Sequence, residues 1–254
     1  MDNQFKVHPY FLGLWLGDGN KENVGITTID KEVSDFIFWY ANLLKLKVRI
    51  KTKSHSKANA YYIYSPDKYT HSVECYNLDG TFIERFDSIK EAAGKYEVKH
   101  PSNISACCIG TTAYCKNKLW KYSNMVYPNL LHDYFKTNNI FRNKHIPKEV
   151  YSEDFNYRMN VLAGFIDSDG TKESTYKITI SQKLENLIDD LMLLCESLDI
   201  QCIKVAKCTK YKGEPYHYHL IRMWGSNLEL CPIKLSRKKV NNNKIYGNIT
   251  DRKS

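Results

Sequence analysis

Two ten-residue stretches constrain this chain more than anything else in it: FLGLWLGDGN at residues 11–20 and VLAGFIDSDG at residues 161–170. A constant offset of 151 places Gly13 over Gly164, Gly17 over Ser168, Asp18 over Asp169 and Gly19 over Gly170. The segments after the two stretches also match, which is the mark of an internal repeat. After the first come a strand-like run, NVGITTID, and a helical pattern, KEVSDFIFWYANLLKL, with Val33, Phe36, Ile37, Tyr40 and Leu44 on one face. After the second come TYKITISQ and KLENLIDDLMLLCESLDI, with Leu184, Leu187, Ile188, Leu191 and Leu198 on one face. Alternating patterns close each copy: KVRIKTKS with AYYIYS, and QCIKVAKCTK with YHYHLIRMW. The order helix, strand, helix, strand, strand therefore occurs twice, which predicts an α/β (α+β) fold of two pseudo-symmetric halves.

Only 85 residues follow Asp169, fewer than the 151 that separate the two aspartates, so the first half carries an insertion. It is expected at His71–Asn124. Asp79-Gly80 between VECYN and TFIERF signals a hairpin. Ser88 with Glu91 three residues on forms a capping box for a short helix. A second short helix is expected over Ser102–Cys108, closed by Gly110, and the pair reads as a helix-turn-helix. The expected organisation is a first half at 1–70, the insert at 71–124, the end of the first half with a linker at 125–155, and a second half at 156–254.

The bulk numbers bound the rest. No stretch is long and apolar enough to cross a membrane, so no membrane association is expected and the protein is read as intracellular. Eight cysteines make no CxxC pair, and Cys107, Cys108 and Cys115 have the wrong spacing for zinc; reduced thiols are expected. Thirty-seven Lys and Arg against 28 Asp and Glu give a net charge of +9, suited to a polyanionic partner.

Gly13 and Gly17, and Gly164 and Ser168, are four apart and give each repeated helix a stripe of small residues. Two such helices can pack with their backbones close. Their C-terminal ends then bring Asp18 and Asp169 together. Asp167 lies about 200° around the helix from Asp169, and its counterpart in the first copy is Leu16, so only the Asp18/Asp169 pair follows the twofold. Two carboxylates at helix C-termini repel each other and the helix dipoles, a costly arrangement unless cations lie between them. Mg²⁺ suits such oxygens, and paired metals serve phosphodiester hydrolysis.

VLAGFIDSDG closely resembles the signature of the LAGLIDADG homing endonucleases, and FLGLWLGDGN resembles the first motif of their single-chain, two-motif members. NKHIPKEVY and PIKLSRKKV are also similar to family segments. The insert resembles the NUMOD1-type helix-turn-helix module through YNLDGTFIERFDSIKEAA, NISACCIG and LWKY. Asn20 after the first motif, and the bulky Trp15 and Leu16 within it, depart from the family pattern without touching the acidic position. Neither terminus carries intein splice residues, which points to a free-standing or intron-encoded enzyme.

The resemblance implies metal-dependent, site-specific cleavage of double-stranded DNA by a monomer, with Mg²⁺ (or Mn²⁺). Asp18 and Asp169 would be catalytic and would bind metal together with Gly17 and Ser168. Lys144 matches an active-site lysine, and its counterpart in the second half falls at Lys238 or Lys239, with Lys239 adopted as the candidate. Cleavage across the minor groove with short 3′ overhangs is the family expectation. The alternative is an intron maturase or a non-cleaving regulator that binds DNA or RNA.

Strand alternation supplies the expected DNA surface, a curved saddle. Arg49, Lys51 and Lys53 oppose Val48 and Ile50; Lys177, Thr179 and Ser181 oppose Ile178 and Ile180; Lys204 opposes Ile203 and Val205, with Lys210 and Lys212 further on. Cations would hold phosphates and shorter polar groups would read bases. The insert has seven basic and six acidic residues, a net of +1 that leaves +8 on the rest of the chain. Its expected contribution is specificity, through Ser102, Asn103 and Ser105 at the start of its second helix.

Overall fold

The computed structural model describes residues 5–52, 56–65, 72–123, 129–211 and 213–241. The chain divides into two compact units, Met1–Tyr64 with Asn129–Ser254, and Ser65–Pro128.

In the first unit, helix α1 (Pro9–Asp18) leads to β1 (Gly25–Thr28), α2 (Lys31–Leu43), β2 (Lys47–Lys51) and β3 (Asn59–Tyr64). After the second unit the chain continues with α5 (Leu130–Thr137), and α6 (Phe155–Asp169) then opens the second copy. It runs through β7 (Gly170–Lys172), β8 (Ile178–Gln182), α7 (Glu185–Glu196), β9 (Gln201–Tyr211) and β10 (Glu214–Trp224). Both sheets are antiparallel. The first has the order β1-β3-β2 and the second β7-β8-β10-β9. The missing edge strand of the first is reduced to a single bridge, Gly19 to Ile26, where the second has Gly170 opposite Ile180. The motif glycine thus ends its helix and starts its sheet in both copies.

One apolar core runs through both copies, from Leu12, Leu14 and Ile37 to Leu162, Leu187 and Leu191. Phe135 of α5, which the sequence patterns left unassigned, packs its ring 4.4 Å from that of Trp15. Helix α2 buries Val33, Phe36, Ile37 and Tyr40 as its spacing requires, together with Ala41, while the expected Leu44 falls at the C-cap and is only half-buried. Leu184 departs from expectation: it precedes α7 at the N-cap and is 40% exposed, while Leu194 and Cys195 complete the buried face.

The second unit holds β4 (Val73–Tyr76), β5 (Phe82–Phe86), α3 (Ile89–Lys95), α4 (Ser102–Cys108) and β6 (Leu119–Tyr122). A three-stranded sheet of order β5-β4-β6 shares a separate core with the two helices, built on Val73, Cys75, Ala92, Ile104 and Trp120. Ser88 Oγ accepts the Glu91 amide at 3.1 Å, so the expected cap forms. Gly110 adopts a φ of +80°, the left-handed conformation that ends α4 cheaply only with glycine. All eight cysteines are free thiols.

Candidate active site

Helices α1 and α6 cross at their glycines, and the contact is reciprocal. A Cβ on Gly13 would lie 2.8 Å from the Phe165 amide nitrogen and closer still to the Val161 carbonyl oxygen. A Cβ on Gly164 would lie 2.7 Å from the Leu14 nitrogen and closer still to the Tyr10 oxygen. Each pair of partners differs by the same 151 residues, so the crossing is isologous within one chain. Both helices end on a glycine in extended conformation, with Gly19 N–H donating to Trp15 O and Gly170 N–H to Ile166 O. The glycines are needed for space rather than for φ, which is −70° at each.

This crossing brings the C-terminal ends together. A Cβ on Gly17 would sit 3.0 Å from Asp169 Oδ2, which shows how near the second acid comes to the first helix. Asp18 is the more open of the two acids and Asp169 is half-buried. Crowding by protein raises both carboxyls above the usual range, and Asp169, which also feels the Asp18 charge, reaches about 6.

Two lysines close the site. Lys144 Nζ donates to Gly17 O at 2.7 Å. Lys238 Nζ donates to Ile166 O, Asp167 O and Ser168 O at 2.9, 2.8 and 3.1 Å. Gly17 and Ser168 are equivalent positions, so the repeat itself pairs Lys144 with Lys238. Lys239 is exposed, and its carbonyl rather than its ammonium is engaged, accepting from Lys172 at 2.6 Å. The candidate Lys239 is therefore corrected to Lys238, because the short helical turn Ser236–Lys238 aims only the latter at the helix end. Burial lowers Lys144 to about 8 and lowers Lys238, while both lysines pull the two carboxyls down.

Asp167, the other acid of the second motif, is 2% exposed and works structurally. It accepts from Tyr10 Oη at 2.7 Å and from the backbone amides of Lys234 and Leu235 at 2.7 and 3.2 Å. Gln182 was missed by sequence reasoning: its side-chain amide donates to Asp169 Oδ2. The available signal was a polar residue in phase with Ile178 and Ile180, on the apolar side of β8.

The strand registers sort the expected DNA-facing residues. In the first sheet Arg49 lies opposite Tyr62 and Lys51 opposite Ala60, on the face away from Val48 and Ile63. Arg49 stacks 5.6 Å over the Tyr62 ring. Lys53 and Lys212 lie outside the described residues. In the second sheet Thr179, Arg222 and Ile203 form one row, and Ser181, Leu220 and Val205 another. Thr179 Oγ1 donates to Glu173 at 2.9 Å, and Lys177 lies 5.7 Å over the Trp224 ring. Lys204 shares a row with Ile180 and Ile221, both fully buried, and so faces the helices. Its ammonium pairs with Glu185 and Asp189 at 2.7 and 2.6 Å. The DNA-facing assignment of Lys204 is corrected: Cys202 packs on the core, so Ile203, 49% exposed, turns outward. Lys210 lines an open cleft of about 610 Å³ with Ser181, Gln182, Lys183, Thr209, Tyr216 and Tyr218. In the second unit Ser102 and Asn103 are exposed, while the Ser105 hydroxyl is engaged with Tyr122 Oη at 2.7 Å.

A family model described as homing endonuclease matches residues 1–74 and 145–246, both copies of the repeat. The chain belongs to the homing endonuclease family. It is thereby a site-specific DNA endonuclease, and the matched segments contain Asp18, Asp169 and Lys238, with Lys144 just outside. No curated protein matches this homing endonuclease by sequence. Among solved structures, I-DmoI in complex with DNA and Ca is similar at 12% identity and a TM-score of 0.45, covering 85% of this chain and 81% of that one. I-DmoI in complex with DNA and Mn has 12% identity and a TM-score of 0.43, covering 85% and 88%. Mesophilic variants of I-DmoI give the same identity and score, covering 85% and 87%. The family match, not these distant likenesses, assigns the chain.

Proposed function

We propose that this endonuclease cuts both strands of a long, asymmetric double-stranded DNA site as a monomer, one strand at each of the two acids, with divalent metal ions. The observation that carries this reading is the paired arrangement of Asp18 and Asp169 with Lys144 and Lys238 at two helix ends related by the repeat.

The donor set fits a hard divalent cation. Among the described residues no cluster of three or more His, Cys, Asp or Glu could enclose a metal. Two carboxylates raised by crowding, Asp169 also by the charge of Asp18, would gain from a cation that keeps most of its water, as Mg²⁺ does. Asp18 and Asp169 would hold it. The Gly17 and Ser168 carbonyls accept from the lysines and keep a second lone pair each. When bound, such an ion would polarise a phosphoryl oxygen and generate hydroxide near neutral pH.

The chain's own groups divide the remaining work. Lys144 and Lys238 would stabilise charge developing on the phosphate, held by helix-end carbonyls rather than by freely rotating stems. Gln182 orients the Asp169 carboxylate. Arg49, Lys51 and Lys177 would hold phosphates while Thr179 and Ser181 face base edges. Ser102 and Asn103 of the NUMOD1-like insert would add a second reading head, with Ser105 tied to Tyr122.

Plasmid-library cleavage with Mg²⁺ tests the reading. Discrete double-strand cuts are expected that vanish in EDTA and fall to nicks or nothing in Asp18→Asn and Asp169→Asn. Tight, salt-sensitive binding without cutting would instead establish a maturase or regulator.

A further inference from the structure

Each of the two lysines sits outside the long helices and the strands, on a segment that is fastened by a carboxylate from the opposite half. Lys238 follows Arg237, whose Nη1 and Nη2 donate to Oδ1 and Oδ2 of Asp30 at 2.6 and 2.9 Å. Asp30 lies just before α2, in the first half, whereas Lys238 serves the end of α6, in the second. Lys144 shows the converse. Two residues after it, the Ile146 amide donates to Asp190 Oδ2 at 2.8 Å, and Tyr151 Oη donates to the Asp190 carbonyl at 3.0 Å. Asp190 is on α7 in the second half, whereas Lys144 serves the end of α1 in the first.

Neither acid is spent on ordinary local work. Asp30 occupies the N-cap of α2, where an aspartate normally accepts from the first turn, yet it makes no side-chain cap bond. Its two oxygens instead meet Arg237 in a bidentate fork, the geometry that fixes orientation as well as charge. The rest of the Lys238 segment is held from its own half, by Asp167 on the amides of Lys234 and Leu235.

We propose that Asp30 and Asp190 are positioning residues that latch the active-site lysine of the opposite half, so that each cutting site is complete only while the two halves are in register. This rests on the reading of Lys144 and Lys238 as cleavage residues. The latches make the halves interdependent beyond the crossing of α1 and α6: a shift of one half moves the lysine of the other.

Two readouts test it. The first needs neither DNA nor metal: amine acylation of the free protein at neutral pH, mapped by mass spectrometry. Lys238 is 8% exposed and should be protected. Asp30→Ala should raise Lys238 labelling about threefold or more, as local opening frees it, and leave Lys144 unchanged. Asp190→Ala should do the reverse. In the second readout, Asp30→Ala should accumulate nicked plasmid while its DNA Kd in EDTA stays within about twofold. The charge swap Asp30→Arg with Arg237→Asp should restore both Lys238 protection and the second cut. Unchanged Lys238 labelling, a parallel rise at both lysines, or a swap that restores neither readout would overturn the latch. A wild type that cuts nothing would overturn the nuclease reading, and the labelling pattern would still judge the latch.

Discussion

Tyr10 Oη donates to Asp167 Oδ2 at 2.7 Å, a buried bond that joins the two repeated helices at a point where the repeat is not symmetric. The residue equivalent to Asp167 is Leu16, so this acid was free to take a structural task. It gathers three donors, which pull its carboxyl down, yet burial still leaves it above the usual range. Asp167→Ala should cost about 3–5 kcal/mol, because it strands the Tyr10 hydroxyl and two amides. Tyr10→Phe should cost only about 1–2 kcal/mol. Denaturant unfolding of both variants measures the difference.

The glycine crossing predicts a sharp contrast between glycines. Gly13→Ala and Gly164→Ala each drive a methyl into backbone that cannot retreat, and each should cost more than about 3 kcal/mol. Gly94, in α3, has nothing within 4 Å of where a Cβ would stand. Gly94→Ala should therefore stabilise its helix by about 0.5–1 kcal/mol. Thermal melts of the three variants rank them.

The acids tie stability to pH with a definite sign. Asp169 titrates near 6 in the folded protein, above the ordinary value of 3.8, so the folded state holds the extra proton between those limits. Metal-free protein should lose stability as pH rises through that window and stay weaker above it. Asp169→Asn should be more stable than wild type at pH 7 by about 1–2 kcal/mol, with the gain gone at about pH 4. The same variant should lose cutting by about 10²-fold or more. Melts at the two pH values, beside plasmid assays, check the stability gain and the lost activity together.

Opposite faces of the sheets should answer differently to DNA. Lys51 is on the open face, and Lys51→Ala should weaken binding about equally across sequences and lower the salt slope by about one. Lys204→Ala removes a cation already committed to Glu185 and Asp189 and should leave Kd within about twofold. Salt titrations of binding in EDTA separate the two.

The helix pair, its glycines and the identity of the paired acids were legible because a repeat turns one-dimensional spacing into a symmetry, and symmetry chooses between Asp167 and Asp169. Lys204 was misplaced because Cys202, the second residue of β9, packs on the core, and a cysteine reads weakly as an inward residue beside Ile203. Lys238 and Lys239 are neighbours of the same type, and only the turn at Ser236–Lys238 tells which one points to α6. Asp30 and Asp190 act on partners far away in sequence, and no local pattern announces such contacts, whereas Gln182 left only the weak signal of a polar residue on an apolar strand face.

The two sheets differ in reach. β2 and β3 have five and six residues, whereas β9 and β10 have eleven each. At about 3.4 Å per residue, β9 and β10 are roughly twice as long as β2 and β3. Two identical subunits would be bound to a palindrome. A single chain that keeps its symmetry at the helix crossing and abandons it in the strands is released from that requirement. If the two sheets hold the DNA as proposed, the flanks of the two cuts would be scanned over unequal lengths, and drift in one flank could be met by change in one sheet without disturbing the other.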